Sequence, residues 1–437
     1  MATQAQSVLE LARSSLEGPG GFIRKVQQLL LFPGDPRIFL ASAVTASLEN
    51  ISEVVVPGHQ GAAGFSWEEA AAGAIGEAIE RYCAACYEWN DLVYANQEKL
   101  GDQAVGMDRF SLYTSDIYDD ARFPLVRWRS DKKGYWVRGK SLMTGKPAYI
   151  PAAMVYIPYR IRNKAESDFW AVAVSSGQAC HTNPNKALFS GLCEVIERDA
   201  FMITWMRRIP PIRIDYKSDP EVSDIFLTHF DGSNLDFHVF DISLDIRIPT
   251  MLCLAWGETH RGPFVAVGAA THTSERKAIL KSIKEAAQGA NWARQLVLTR
   301  SDWRPTVDFS NLIIFEDHVR LYCEPEMGAQ LNFIMQTSRS RPPAERFYAV
   351  ETEAELEICL SEIARNGLEA YVVDLTTPEM AELGFYVPKV FVPGLAHLTA
   401  IHKMPALATP RYREVIEKLA LGDPVHQEFN PVPHPFP

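Results

Sequence analysis

Two short stretches constrain this chain more than anything else in it. GEAIERYCA contains Glu77-Ala-Ile-Glu80-Arg81. CEVIERDAF, 117 residues further on, contains Glu194-Val-Ile-Glu197-Arg198. Positions i, i+3 and i+4 share one helix face, so each copy aims two acids and an arginine the same way. A single copy reads as a solvated face with a local Glu–Arg pair. Two copies set among Ala, Ile, Val, Leu and Cys do not, because a carboxylate in apolar surroundings pays a desolvation cost and needs a partner. Hard oxygen ligands from several helices, with arginines beside them, suit magnesium and a triphosphate: the acids hold the metal and the arginines meet the phosphate oxygens. No G-x-x-x-x-G-K-[ST] is present, which excludes a P-loop. The spacing is also too long for a short-period solenoid.

The flanking residues support helices at both copies. Ser66 is placed to cap the first, with Glu69 three residues on as its box partner. Asn183 is placed to cap the second, with Pro184 at the first helical position. A third helix is predicted in SERKAILKSIKEAAQGANWARQL, carrying Glu285 and Gln288. It follows the strand-like run Phe264–Val267 and Gly268. Further strands are predicted at Val54–Val56, Phe237–Ile242 and Val387–Val392. The N-terminal 35 residues read as a helical extension: a short amphipathic helix over Ser7–Leu16, then FIRKVQQLLLF as a second helix, broken at Pro33-Gly34-Asp35-Pro36. No linker interrupts the chain from there to about residue 420.

The net charge of -11 argues against nucleic acid as a main partner. No apolar run approaches the ~20 residues needed to cross a bilayer, and MATQAQSVLELARSSLEG lacks a signal-peptide core, so the cytoplasm is the expected compartment. Seven cysteines follow no repeating spacing. The lone pair Cys83 and Cys86 reads as core thiols, not a zinc site. His397 and His402 read as loop or helix-face residues, Ser175-Ser176-Gly177 as a turn near a nucleotide, and Trp128, Trp136 and Trp170 as core.

The set formed by GEAIERY, CEVIERDAF, the AAQG helix, SSGQACHTNPNKAL and PKVFVPGLAHL resembles the YcaO family. The terminus NPVPHPFP resembles the PxPxP tail of members that form azolines in ribosomal peptides. The resemblance implies an α+β YcaO-type fold, with β-sheets and packed helices forming an ATP–Mg2+ cleft and an internal pseudo-repeat. It implies an N-terminal extension over 1–35, a catalytic domain over 36–425 and a tail over 426–437 that enters the active site. Glu77, Glu80, Glu194 and Glu197 would be metal ligands. Arg81, Arg198, Glu285 and Gln288 would contact ATP. The implied reaction is ATP-dependent cyclodehydration. A Cys, Ser or Thr side chain attacks the preceding backbone carbonyl, the resulting oxygen takes the gamma-phosphate, and loss of phosphate closes a thiazoline or oxazoline. Other members make thioamides or amidines by the same backbone activation. The implied partners are a precursor peptide, an E1-like (ThiF-like) leader-binding protein and an FMN dehydrogenase that oxidises azolines. Homodimerisation is left open.

Four positions depart from the family pattern. Ala74, Gln60, Lys186 and Ala290 stand where Ser, Lys, an acid and Arg are common, although Arg294 follows one turn after Ala290. All four departures touch nucleotide contacts and spare the metal acids, which also leaves a non-catalytic scaffold as an alternative.

The tail has a physical reading of its own. Pro431, Pro433, Pro435 and Pro437 hold it extended at little ordering cost. Its last seven residues span about 20 Å, enough to carry the Pro437 carboxylate into a cleft as a proton acceptor.

Overall fold

Backbone hydrogen bonding sorts the chain into three antiparallel-rich sheets with helices packed on them. The computed structural model describes residues 8, 10, 16, 21–46, 59–120, 123–162, 168–344, 352–422 and 428–437. The first sheet joins β1 (Ile23–Gln28), β2 (Phe39–Thr45) and β3 (His59–Gly64) in sequence order. The second joins β4 (Val93–Ala95), β5 (Gly134–Ser141) and β6 (Pro147–Pro151) to two late strands, β12 (Tyr371–Asp374) and β13 (Pro388–Phe391). Its order is β13-β12-β5-β4, with β6 also paired to β5. The third runs β10-β9-β8-β7-β11, from β7 (Ile212–Ile214), β8 (Asp236–Asp241), β9 (Thr250–Thr259), β10 (Gly262–Thr271) and β11 (Ser340–Arg341). This is the mixed α+β architecture expected from the sequence.

Three long helices carry the charged motifs. α1 (Trp67–Ala85) packs on the first sheet, and α3 (Glu275–Thr299) on β9 and β10. Between them α2 (Pro184–Met206) meets β13, β10 and α4 (Thr352–Arg365). Each begins with the cap its sequence allows. Ser66 Oγ accepts from the Glu69 N–H, Asn183 Oδ1 from the Lys186 N–H, and Ser274 Oγ from the Lys277 N–H. Such caps are each worth about 1 kcal/mol. Glu69 also reaches back to the Phe65 N–H. The apolar face of α1 buries Ala74, Ile75, Ala78 and Ile79, so the acids are left on the opposite edge.

Two buried ionic ties fix the remaining segments. Arg411, at the start of α5 (Arg411–Leu419), bridges Asp199 of α2 at 2.6 Å and Asp245 at 2.8 Å. Arg294 of α3 pairs with Asp35. Trp128, Trp136 and Trp170 stack edge to face or tilted at 4.5 to 6.2 Å, with Trp136 and Trp170 fully buried. All seven cysteines are free thiols.

One expected element is overturned. Residues of FIRKVQQLLLF form the strand β1, not a helix. Lys25, Val26, Gln27 and Gln28 pair with Val44, Ala43, Ser42 and Ala41 of β2, and the Leu29 N–H extends the ladder to the Leu40 carbonyl. Local periodicity fitted both forms; the exposed edge of β2 supplied hydrogen-bond partners that only a strand can use. The Val54–Val56 expectation lies outside the described residues, as does all of Ser7–Leu16 except residues 8, 10 and 16.

Close backbone packing sets α3 on its sheet. A Cβ at Gly268 of β10 would lie 2.3 Å from the Ala286 nitrogen and 2.5 Å from the Ser282 carbonyl oxygen. A Cβ at Gly289 would meet its nearest atom at 3.5 Å, an ordinary contact. Gly268→Ala is therefore expected to destabilise the protein by ~1–3 kcal/mol through overpacking. Gly289→Ala should leave stability unchanged or raise it by up to ~1 kcal/mol, because a helix-interior glycine is removed. Urea midpoints of the two variants check both signs.

Candidate functional site

The two acidic motifs adopt the same construction. Glu77 Oε2 accepts from the Gly61 N–H of β3 at 3.0 Å, while Arg81 Nη2 donates to Glu77 Oε1 at 3.2 Å. Glu194 Oε2 accepts from the Gly177 N–H at 3.3 Å, while Arg198 Nη2 donates to Glu194 Oε1 at 3.4 Å. Each first glutamate is thus held between a glycine peptide and the arginine one turn below it. Gly177 has φ +86°, and a Cβ there would meet the Val390 carbonyl oxygen at 2.2 Å. Its turn, closed by the Gln178 N–H to the Ser175 carbonyl, lies under α2. α3 joins this arrangement through Gln288, whose Nε2 donates to the Gly61 carbonyl at 3.2 Å. The Gly61 peptide is therefore gripped at its N–H by α1 and at its C=O by α3.

The second glutamate of each motif lies deeper. Glu197 is 3% exposed. Its Oε2 accepts from the Thr271 N–H at 3.2 Å, where β10 ends, and Arg198 Nη1 stands 3.0 Å from Oε1. Burial, opposed in part by Arg198 and reinforced by the Glu285 and Glu194 carboxylates, pushes Glu197 up to about 8. Burial likewise pushes Glu80 up to about 8, with Arg81 opposing and the Glu77 and Glu194 charges adding to the rise. Burial acts to lower Arg198, and Glu197, Glu194 and Glu285 outweigh it and hold the guanidinium above its ordinary value. Lys281 is held high chiefly by Glu285, 3.6 Å away. These mutual effects bring Glu77, Glu80, Glu194, Glu197 and Glu285 into one electrostatic neighbourhood, built by α1, α2 and α3.

The donor set suits a hard cation. It consists of carboxylates, and Glu197 Oε1 is buried without a hydrogen-bond partner. Among the described residues no three His, Cys, Asp or Glu side chains are grouped so as to hold a metal ion by themselves. An ion here would need phosphate oxygens and water to finish its shell, which is how magnesium is commonly held. Burial is the main reason Glu80 and Glu197 are raised, and a bound cation would favour their ionised forms.

The proline-rich terminus packs along α2 toward this place. Trp205 Nε1–H donates to the Val432 carbonyl at 3.0 Å, and Tyr322 O–H to the Pro433 carbonyl at 2.8 Å. The His434 ring stacks on His318 at 4.1 Å. Phe436 is buried against Phe201, and the Arg198 guanidinium lies over its ring at 4.1 Å. Pro437 follows, half-buried.

Sequence reasoning missed several contributors. Gly61, Gly177 and Thr271 act through backbone N–H groups, which leave no side-chain signature. Phe436 was visible only as part of the tail. Arg294, which stands one turn beyond Ala290, is committed to Asp35. Ala74 and Ala290 are fully buried, and Gln60 is buried in β3.

A family model described as YcaO cyclodehydratase, ATP- and Mg2+-binding, matches residues 61–396. Three solved structures are similar in fold. A heterocyclase in complex with substrate and cofactor has TM-score 0.80 and 19% identity over 99% of this chain, which spans 57% of that heterocyclase's length. YcaO from Methanopyrus kandleri, bound with AMPPCP and Mg2+, has TM-score 0.63 and 17% identity, covering 90% of this chain and 92% of the other. The E. coli microcin synthetase McbBCD complex contains a chain with TM-score 0.57 and 17% identity, covering 93% and 96%.

The raised carboxylates give a pH test. Folded Glu80 and Glu197 keep their protons up to about 8, whereas the unfolded chain loses them near 4.5. Their contribution to stability is fully present below 4.5 and is lost as pH rises through 8. Wild type should therefore lose stability relative to Glu80→Gln and Glu197→Gln as pH rises from about 5 to 8.5. Magnesium with a nucleotide should cancel much of that loss in wild type. Differential melting curves across this range check it.

Proposed function

The chain belongs to the YcaO family, and on that premise we propose that it is an ATP-dependent cyclodehydratase that converts Cys, Ser or Thr of a precursor peptide into azoline rings. The observation that carries this reading is the terminus: a proline strut packed along α2, with Phe436 against Arg198 and the chain-end carboxylate one residue beyond. Making a thioamide or amidine needs the same amide activation but no ring closure by the substrate's own side chain.

The residues divide the work. Glu77, Glu80, Glu194 and Glu197 are the candidates to hold magnesium, while Arg81, Arg198, Glu285 and Gln288 are the candidates to contact ATP. When bound, magnesium and ATP supply charge neutralisation and the phosphoryl group that turns an amide oxygen into a leaving group. Glu194 and Glu197 both contact Arg198, and the Phe436 ring covers its guanidinium. Contact with an aromatic face is worth ~0.5–2 kcal/mol and limits the directions this cation can take. The Pro437 carboxylate takes a proton from the attacking Sγ or Oγ, provided it lies within hydrogen-bonding reach, ~2.6–3.2 Å. The strut fixes that reach, since each residue of an extended proline run advances ~3.1 Å. A leader-binding partner and an FMN dehydrogenase complete the assembly; that a similar chain is found in a microcin synthetase complex supports the presence of partner proteins. ATP-binding scaffolding without catalysis would leave the placement of the terminus without a role.

Glu80→Gln and Glu197→Gln are expected to lower ATP-dependent ring formation at least 100-fold while the melting transition stays cooperative, consistent with the ~10²–10³-fold loss seen when an electrostatic stabiliser is removed. Ring formation is read as loss of one water mass per ring. A wild-type rate in either variant would show that these acids do not serve the reaction.

The chain end is tested separately. Appending one glycine moves the carboxylate by ~3 Å and should abolish ring formation, with nucleotide binding by calorimetry unchanged. Phe436→Ala should instead weaken nucleotide use, by releasing Arg198, and Phe436→Leu should recover only the packing. Normal cyclisation by the glycine-extended protein would remove the carboxylate from the mechanism.

A further inference from the structure

A cavity opens beside Arg198 that none of these steps uses. Met154, Val174, Val195, Phe391, Leu398 and Ala406 form much of its wall, and Ser176 and Arg198 belong to its lining. The space it leaves for the centres of water-sized atoms is about 40 Å3, a few waters' worth, which suits one side chain and not a whole small molecule. Besides Ser176 and Arg198, Lys389 and His397 interrupt the apolar wall. Lys389 is fully buried, and its Nζ donates to the Val155 carbonyl at 3.0 Å and the Val174 carbonyl at 2.8 Å. His397 Nε2 is buried without a hydrogen-bond partner.

Charge and location narrow the occupant. Arg198 and Lys389 are basic, and no Asp or Glu lines the space. A cationic guest would meet the Arg198 guanidinium with no lining carboxylate to offset its desolvation. Burial, helped by Arg81, holds Lys389 down to about 7, so the floor itself is poorly able to carry full charge. An apolar guest buries its surface at no such cost. The cavity shares Arg198 with the acidic site, and Val195 follows Glu194 directly. In azoline formation the attacked carbonyl belongs to the residue before the Cys, Ser or Thr. That residue's Cα is bonded to the reacting carbonyl carbon, so its side chain projects close to the site.

We infer that this cavity is the subsite for the side chain preceding the cyclised residue, and that it selects an uncharged apolar side chain over lysine or arginine. The assignment rests on the ring-forming reading above. Val172 lines the cavity and is 37% exposed, so it can be enlarged with little strain on the core.

The test uses the full chain with its leader-binding partner, ATP, magnesium and leader-bearing peptides that differ only at the residue before one Cys: Leu, Lys or photo-leucine. Wild type should cyclise the Leu peptide at least about tenfold faster than the Lys peptide, the discrimination expected of an apolar pocket. Val172→Trp should reduce that ratio severalfold, with nucleotide affinity unchanged. Irradiated photo-leucine peptide should attach to Met154, Val195 or Leu398, as mapped by mass spectrometry. Equal rates for Leu and Lys, a ratio unchanged in Val172→Trp, or attachment only outside the cavity would overturn the subsite. If no peptide is cyclised, the ring-forming reading fails and the photo-leucine map alone decides: attachment inside the cavity upholds the subsite, and attachment elsewhere overturns it.

Discussion

The grip of a glycine peptide on a glutamate is the interaction on which this architecture turns. A carboxylate taken from water must recover its hydrogen bonds or lose its charge. Glu77 and Glu194 recover theirs from the Gly61 and Gly177 N–H groups and from an arginine one turn along the same helix. That arrangement needs the helix to stand very close to the glycine-bearing backbone. At Gly191 of α2 a Cβ would lie 2.5 Å from the Gly177 carbonyl oxygen. At Gly64, before α1, it would lie 2.5 Å from the Ala70 nitrogen. Small residues are therefore what lets acidic helices sit low enough to bring their second glutamates inward.

Having come inward, Glu80 and Glu197 are not fully compensated. Burial and neighbouring carboxylates hold both near 8, and Glu197 Oε1 has no hydrogen-bond partner. The apolar packing of α1 and α3 on their sheets keeps the acids together before any ligand arrives, so binding does not have to assemble them.

The terminus adds a second constraint from the opposite direction. Its carbonyls at Val432, Pro433 and His434 are taken by Trp205, Tyr322 and His318. Prolines that lack N–H donors leave those carbonyls free for side chains of the body, and the extended backbone presents them in order. The same contacts bring Phe436 onto Arg198. One arginine thus reports on both motif and tail: two carboxylates hold it from within α2, and an aromatic ring covers it from the chain end.

The sequence by itself determined the helices and their polar faces. Ser66, Asn183 and Ser274 cap as their identities allow, and the i, i+3, i+4 spacing put Glu77, Glu80 and Arg81 on one face, and likewise Glu194, Glu197 and Arg198, because helix geometry is local. The strands at Phe237–Ile242 and Val387–Val392 were legible for the same reason, and the α+β class through the family resemblance. Tertiary structure alone decided what these faces met. The β1 segment reads as a helix in the sequence and is a strand because β2 offers it hydrogen-bond partners. Arg294 looks like a phosphate contact until Asp35, 259 residues away, takes it. Gly61 and Thr271 belong to the site through backbone N–H groups common to every residue, so no residue type marks them; at Gly177 the sequence marks the turn but not the glutamate that it meets. The cavity floored by Lys389 and His397 draws its walls from segments between Leu112 and Ala406. Such contacts depend on the closure of distant loops, and no local pattern of side chains encodes which segments will meet.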